Sequence, residues 1–266
     1  MRPFYTSPTG DRPGRNFPQQ KLIIPSGQMQ GTGALRLNRK CPMREPFSIF
    51  ECSLARRATG RICTNLRELL DAVRTMPDAV IEHHTIRCAL EDHFELHEFP
   101  NDLARWCWSM LGDNVLGEQL GLIDPYHLVT TAALRETIVN LIEERLWHLD
   151  RVPWCRPGFE LHLVESQLIA FDTGERVATP TELFEAIERM TLRSLFYHMH
   201  EARRRNAGRT DDFSLWLESC EADPALVARI RAIDFYFLNL KQLQHELAAA
   251  FHPAPVELHL PGGTTS

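Results

Sequence analysis

The sequence has no unbroken run of about 18 apolar residues, so nothing in it reads as a membrane span. It has no C-x-x-C pair, no H-E-x-x-H and no E-x-x-H, so the usual signatures of zinc and di-iron sites are missing. It also lacks a G-x-S-x-G elbow and a Walker loop, which removes the common supports for acyl and phosphoryl transfer. Cysteine is sparse and odd in number, seven in 266 residues. That count fits free thiols in a reducing compartment better than a disulfide framework. The first residues, Met1 to Pro8, form no apolar core of a secretory signal, so a cytoplasmic protein is expected. A basic excess is absent too. The net charge is −6, which argues against a general nucleic-acid binder. The densest basic run, Arg203, Arg204, Arg205 and Arg209, reads as the solvated end of a helix.

What is present falls into a middle and two tails. Residues 1–44 hold six prolines and five glycines and read as a disordered or extended tail. Their Gly31-Thr32-Gly33 lacks the third glycine of a dinucleotide fingerprint. Residues 253–266, rich in Pro and Gly, read as a second tail.

The middle resembles itself. Leu69-Leu70-Asp71-Ala72-Val73 falls on Leu183-Phe184-Glu185-Ala186-Ile187 at an offset of 114. The same offset sets Thr59-Gly60 on Thr173-Gly174, Met76 on Met190 and His84 on His198. A small length change lowers the offset to 110. Asp102 then meets Asp212, Trp106 meets Trp216 and Tyr126 meets Tyr236. Ordered matches with small gaps point to two diverged copies, repeat 1 at 45–157 and repeat 2 at 158–252.

The expected fold class is α+β, mostly helical, with two pseudo-symmetric repeats. Phe47 to Leu54 and Phe159 to Phe171 are β-favouring runs, each followed by a Thr-Gly turn and a short return segment. Each therefore reads as a β-hairpin, and the two hairpins are expected to join into one four-stranded antiparallel sheet. About five helices should follow each hairpin. Asn65, and Thr181 or Thr179, are the N-cap candidates, with Pro180 in a first turn. Asn101-Asp102 and Asp211-Asp212 open a third helix; Asp113-Asn114 and Asp223-Pro224 open a fourth. Residues 131–149 and 239–251 form the last helix of each repeat. Asp124 and Asp234 read as turn or cap residues.

The matched segments are Val80-Ile81-Glu82-His83-His84, Asn101 to Trp106 and Leu111-Gly112-Asp113, with Ser194-Leu195-Phe196-Tyr197-His198 and Asp211 to Trp216 in the second repeat. This pattern resembles an uncharacterised prokaryotic domain-of-unknown-function family (domain of unknown function 5752-like). The resemblance covers most of residues 45–250. Repeat 1 departs from it with Leu103 in place of an aromatic, and repeat 2 has Glu221-Ala222-Asp223 instead of Leu-Gly-Asp. It implies a setting near carbohydrate enzymes, glycosyltransferases or trehalose and glucan enzymes, and brings no catalytic residue or cofactor with it.

The retained trio, His84/His198, Asp102/Asp212 and Trp106/Trp216, is the candidate ligand or structural site. In the functional reading, Asp fixes and activates an imidazole while the indole forms a stacking wall for a sugar. In the bland reading, Asp caps the third helix, His satisfies its nitrogens inside the core and Trp fills that core. The bland reading is favoured, because an active site needs only one copy. A metal site is the weaker alternative, drawing on His83, His84, His93 and His97, on the i, i+4 pair His84 and Cys88, or on His198 and His200. The leading expectation is a non-enzymatic module that binds a protein partner or a small metabolite, with no cofactor, nucleic acid or membrane. Its cleft should lie at the junction of the repeats. The alternative is a metal-assisted or His–Asp enzyme.

Overall fold

A computed structural model of the chain describes residues 45–90, 99–128 and 130–252. The two tails, and residues 91–98 with His93 and His97, lie outside the described residues. The described part is mixed α+β and mostly helical.

Its two strands, β1 (Phe47–Cys63) and β2 (Leu161–Val177), form one two-stranded antiparallel sheet. This corrects the expected hairpins and the four-stranded sheet. Neither Thr-Gly is a turn. Each lies inside a continuous 17-residue strand, at a bulge where three residues face one. Thr59 to Arg61 face Leu163, and Thr173 to Glu175 face Ile49. The threonine hydroxyl replaces a ladder partner: Thr59 Oγ1 donates to Leu163 O at 2.8 Å and accepts from Arg61 N at 3.1 Å. Thr173 Oγ1 does the same with Ile49 O at 2.6 Å and Glu175 N at 3.2 Å. Gly60 and Gly174 take φ of 76° and 81°, a left-handed conformation that glycine alone adopts without penalty. A turn and a bulge thus share one Thr-Gly signature, and the distant partner strand decides between them.

Between the strands come α1 (Leu66–Thr75), α2 (Asp78–Thr85), α3 (Asp102–Ser109), α4 (Asn114–Gly121) and α5 (Thr131–Trp147). After β2 come α6 (Pro180–Arg189), α7 (Leu192–Phe196), a π-helical turn at Tyr197–Glu201 and α8 (Ala202–Arg205). The chain closes with α9 (Asp212–Ser219), α10 (Pro224–Arg231) and α11 (Leu240–Phe251). The caps are side-chain oxygens that accept orphan amides: Asn65 from Glu68 N, Thr179 from Glu182 N, Asp113 from Leu116 N and Asp223 from Ala225 N. Thr179 caps α6, not Thr181, which leaves Pro180 in the first turn.

Two hydrophobic clusters fill the interior. One packs α1 to α5 against Cys63 of β1 and Leu161 and Leu163 of β2. The other packs the later helices against Phe47, Ile49 and Cys52 of β1 and Val177 of β2. Each strand therefore begins on one cluster and ends on the other. Cys52, Cys63, Cys88 and Cys107 are buried as small apolar groups. Burial pushes the Cys52 and Cys63 thiols up to about 12, well away from reactivity.

Candidate functional site

His84 comes from α2, and Asp102 is the first residue of α3 with Trp106 one turn further on. The structure brings all three together beside β2. His84 Nδ1 lies 2.9 Å from Asp102 Oδ2, and His84 Nε2 accepts the Val164 N–H at 3.0 Å. Trp106 Nε1 donates to Phe159 O at 2.8 Å. The second set repeats this against β1. His198 Nδ1 lies 2.8 Å from Asp212 Oδ2, and its Nε2 accepts the Phe50 N–H at 3.0 Å. Trp216 packs edge-on to Phe47, at 5.7 Å between ring centroids, and its buried Nε1 has no hydrogen-bond partner.

This geometry fixes both rings. A nitrogen that accepts an amide N–H carries no proton, so each imidazole holds its proton on Nδ1 and donates it to the carboxylate. Both lone-pair and N–H positions are then spent inside the fold. Burial pushes the Asp212 carboxyl up, but the bonds from His198 and Arg205 outweigh it and hold it below the ordinary value. Asp102 and Asp212 do not cap α3 and α9, as the bland reading had it. Asn101 and Asp211 do so, accepting from Ala104 N and Ser214 N. This leaves the next residue's carboxylate to face the histidine.

Among the described residues, one metal-capable cluster stands out. His83, His84 and Asp102 offer ligand atoms within 4.8 Å of one another. His84 has no free nitrogen to give. His83 Nδ1 lies 3.0 Å from the Ser166 hydroxyl, and burial pushes its pKa down to about 4. The pair His84 and Cys88 is no ligand pair, since the Cys88 thiol donates to His84 O at 3.6 Å. His200 points away from His198, with its Nδ1 2.7 Å from the Tyr126 hydroxyl and its ring stacked on Phe196. Asp124 is a turn residue, accepting from Tyr126 N at 2.7 Å.

An open cavity lies elsewhere. A cavity of about 620 Å³ is lined by Arg87 after α2, by Tyr126, and by residues from Glu201 to Arg209. The arginine run read as a solvated helix end is its wall. Arg203 is buried over the Phe235 ring at 3.9 Å and donates to Met199 O. Arg204 pairs with Glu82 and lies 3.8 Å from Glu201. Arg209 donates to Tyr126 O at 2.6 Å. Arg87 reaches Glu82 at 3.0 Å and Glu201 at 3.6 Å. Sequence reasoning expected a cleft at the junction of the repeats but missed these lining residues, because they are far apart in the chain. The density of the basic run was the one available signal.

An α+β protein with two helical clusters sharing one two-stranded sheet, and a buried His–Asp pair on each strand, is the class these observations define. The chain belongs to the family of unknown function DUF5752, whose pattern matches residues 44–252. The solved structure of OrfY from Thermoproteus tenax is similar to it, with a TM-score of 0.63 and 26% sequence identity. The likeness covers 78% of this chain and 94% of that one. No curated protein matches the chain in sequence.

Proposed function

We propose that this chain is a non-enzymatic binding module, assembled from two copies of one unit (45–157 and 158–252), that takes a small metabolite in the cleft between them. The observation that carries the reading is the double commitment of each imidazole. With Nδ1 on a carboxylate and Nε2 on a strand amide, His84 and His198 act as braces between helices and sheet and have no lone pair for general-base work. The two-copy origin is supported by the placement of these braces. Val164 and Phe50, like Thr173 and Thr59, stand 114 residues apart, as do His198 and His84. Trp106 and Trp216 are buried, and Trp106 borders a separate cavity of about 310 Å³ with His84, Asp102 and Phe159, so a ligand in the 620 Å³ cleft would be held by cleft side chains, away from either indole.

Nitrogen-15 NMR of the histidine rings tests the brace. His84 and His198 should show the Nδ1–H tautomer. An Nε2–H form would sink the reading. The enzyme alternative keeps one specific support, the closeness of His83, His84 and Asp102. Zinc that binds and shifts the His84 ring signals would favour it. Among the described residues no helix is long and apolar enough to cross a membrane.

A further inference from the structure

We propose that the cleft between the two halves is a binding site for a small phosphomonoester that also carries hydroxyl groups. This deepens the binding-module reading and rests on it. Five arginines line the cavity, Arg87, Arg203, Arg204, Arg205 and Arg209. Four carboxylates answer them: Glu82 and Glu201 pair with Arg87 and Arg204, Asp211 with Arg203 and Asp212 with Arg205, while Arg209 bonds the Tyr126 carbonyl. A concave site that keeps this positive balance among clustered guanidinium groups favours an anion. Guanidinium forks match phosphate oxygens two at a time. The volume, about 620 Å³, suits a metabolite.

Two buried atoms sharpen the ligand's chemistry. Arg87 Nε and Glu201 Oε1 both lack a hydrogen-bond partner, and their 3.6 Å separation leaves each short of the other. Glu201 is 7% exposed and lines the cleft. A buried acceptor left open in a cationic cavity calls for a ligand that brings a donor as well as a negative charge. A hydroxylated phosphate ester brings both: phosphate oxygens for the arginines and a hydroxyl hydrogen for Glu201.

The backbone is bent to the same purpose. Glu201 ends the π-helical turn Tyr197–Glu201, an irregularity common at functional sites. That single turn aims His198 at β1 while Glu201 faces the cleft. Arg209 sits at φ 51°, a left-handed conformation that a long side chain adopts at a cost. Asparagine or glycine would suit that backbone better. The arginine there holds its guanidinium against Tyr126 O on the cleft wall.

Phosphorus NMR and thermal melting with ribose 5-phosphate, inorganic phosphate and free ribose test the site on the full chain. Ribose 5-phosphate should shift its phosphorus signal and raise the Tm, inorganic phosphate should do so more weakly, and ribose should do neither. Arg209→Asn fits its backbone, so it should fold while weakening ribose 5-phosphate about tenfold, the worth of one charge-assisted hydrogen bond. Arg87→Gln should weaken both phosphates. Glu201→Leu, which removes the acceptor, should erase the preference for the ester over inorganic phosphate. No effect from either phosphate, or equal binding by Arg209→Asn and Arg87→Gln, overturns the site and leaves the histidine braces untouched. A new phosphorus signal growing with time would mean turnover; it would confirm the site and overturn the non-enzymatic reading.

Discussion

His198 and Phe50 are 148 residues apart, yet the imidazole Nε2 accepts the Phe50 amide at 3.0 Å while its Nδ1 faces Asp212. Removing the ring strips a partner from a part-buried amide and from a carboxylate at once. His198→Ala should therefore cost about 3 kcal/mol of stability, and His84→Ala a similar amount. Asp212→Asn should cost less, because the amide oxygen still accepts from Nδ1. Urea unfolding at pH 8 measures all three; a His198→Ala protein as stable as the parent would refute the brace.

The two tryptophans should part company. Trp106 Nε1 has Phe159 O, whereas the buried Nε1 of Trp216 has nothing. Trp106→Phe forfeits a hydrogen bond and should destabilise by about 1 kcal/mol beyond the packing change. Trp216→Phe removes an unsatisfied donor and should lose less than Trp106→Phe. Paired denaturation curves decide the order.

Acid should weaken the fold before its carboxylates titrate. Burial pushes His83 down to about 4, with His84 adding to it, and pushes His200 down to about 3, with Arg203 adding to it. In the unfolded chain both rings take up protons near pH 6.5. Below that pH the unfolded state holds more protons, so acidification favours it. Stability from these rings is whole above about pH 6.5 and falls by about 1.4 kcal/mol per pH unit for each as pH drops toward 4. Urea midpoints at pH 7 and 5 should show the fall, and His200→Gln should remove about half of the slope. A flat profile would contradict the burial of both rings.

Gly60 and Gly174 mark the bulges with φ of 76° and 81°, and nothing lies within 4 Å of a Cβ added to either. Alanine there meets strain and no clash. Each substitution should cost about 1 to 2 kcal/mol. A neutral Gly60→Ala would mean that the strand does not need its left-handed kink.

Helices were legible in the sequence because their signals are local. The caps at Asn65, Asp113 and Asp223, and the start of α3 at Asn101-Asp102, could be read from neighbouring residues. The sheet was misread because strand pairing is not local. Thr59-Gly60 fits a hairpin turn as well as a bulge, and the choice is made by β2, more than a hundred residues away. The trio His84, Asp102 and Trp106 was found by its recurrence, but the amide of Val164 on Nε2, which decides its chemistry, carries no sequence signal. A cleft at the junction of the repeats was expected, but its lining was invisible for the same reason: Arg87 and Arg209 meet around Tyr126 only once the chain has closed.

The pairing of β1 with β2 has a consequence for synthesis. Thr59 and its partner Leu163 are 104 residues apart, with five α-helices between them among the described residues. During translation, the first strand leaves the ribosome long before the second exists. Its helices can assemble early, but the strand keeps an unpaired edge until the chain has passed Val177. A chaperone that guards this interval, or slow decoding after residue 63, should improve the yield of folded protein more than any change to the helices.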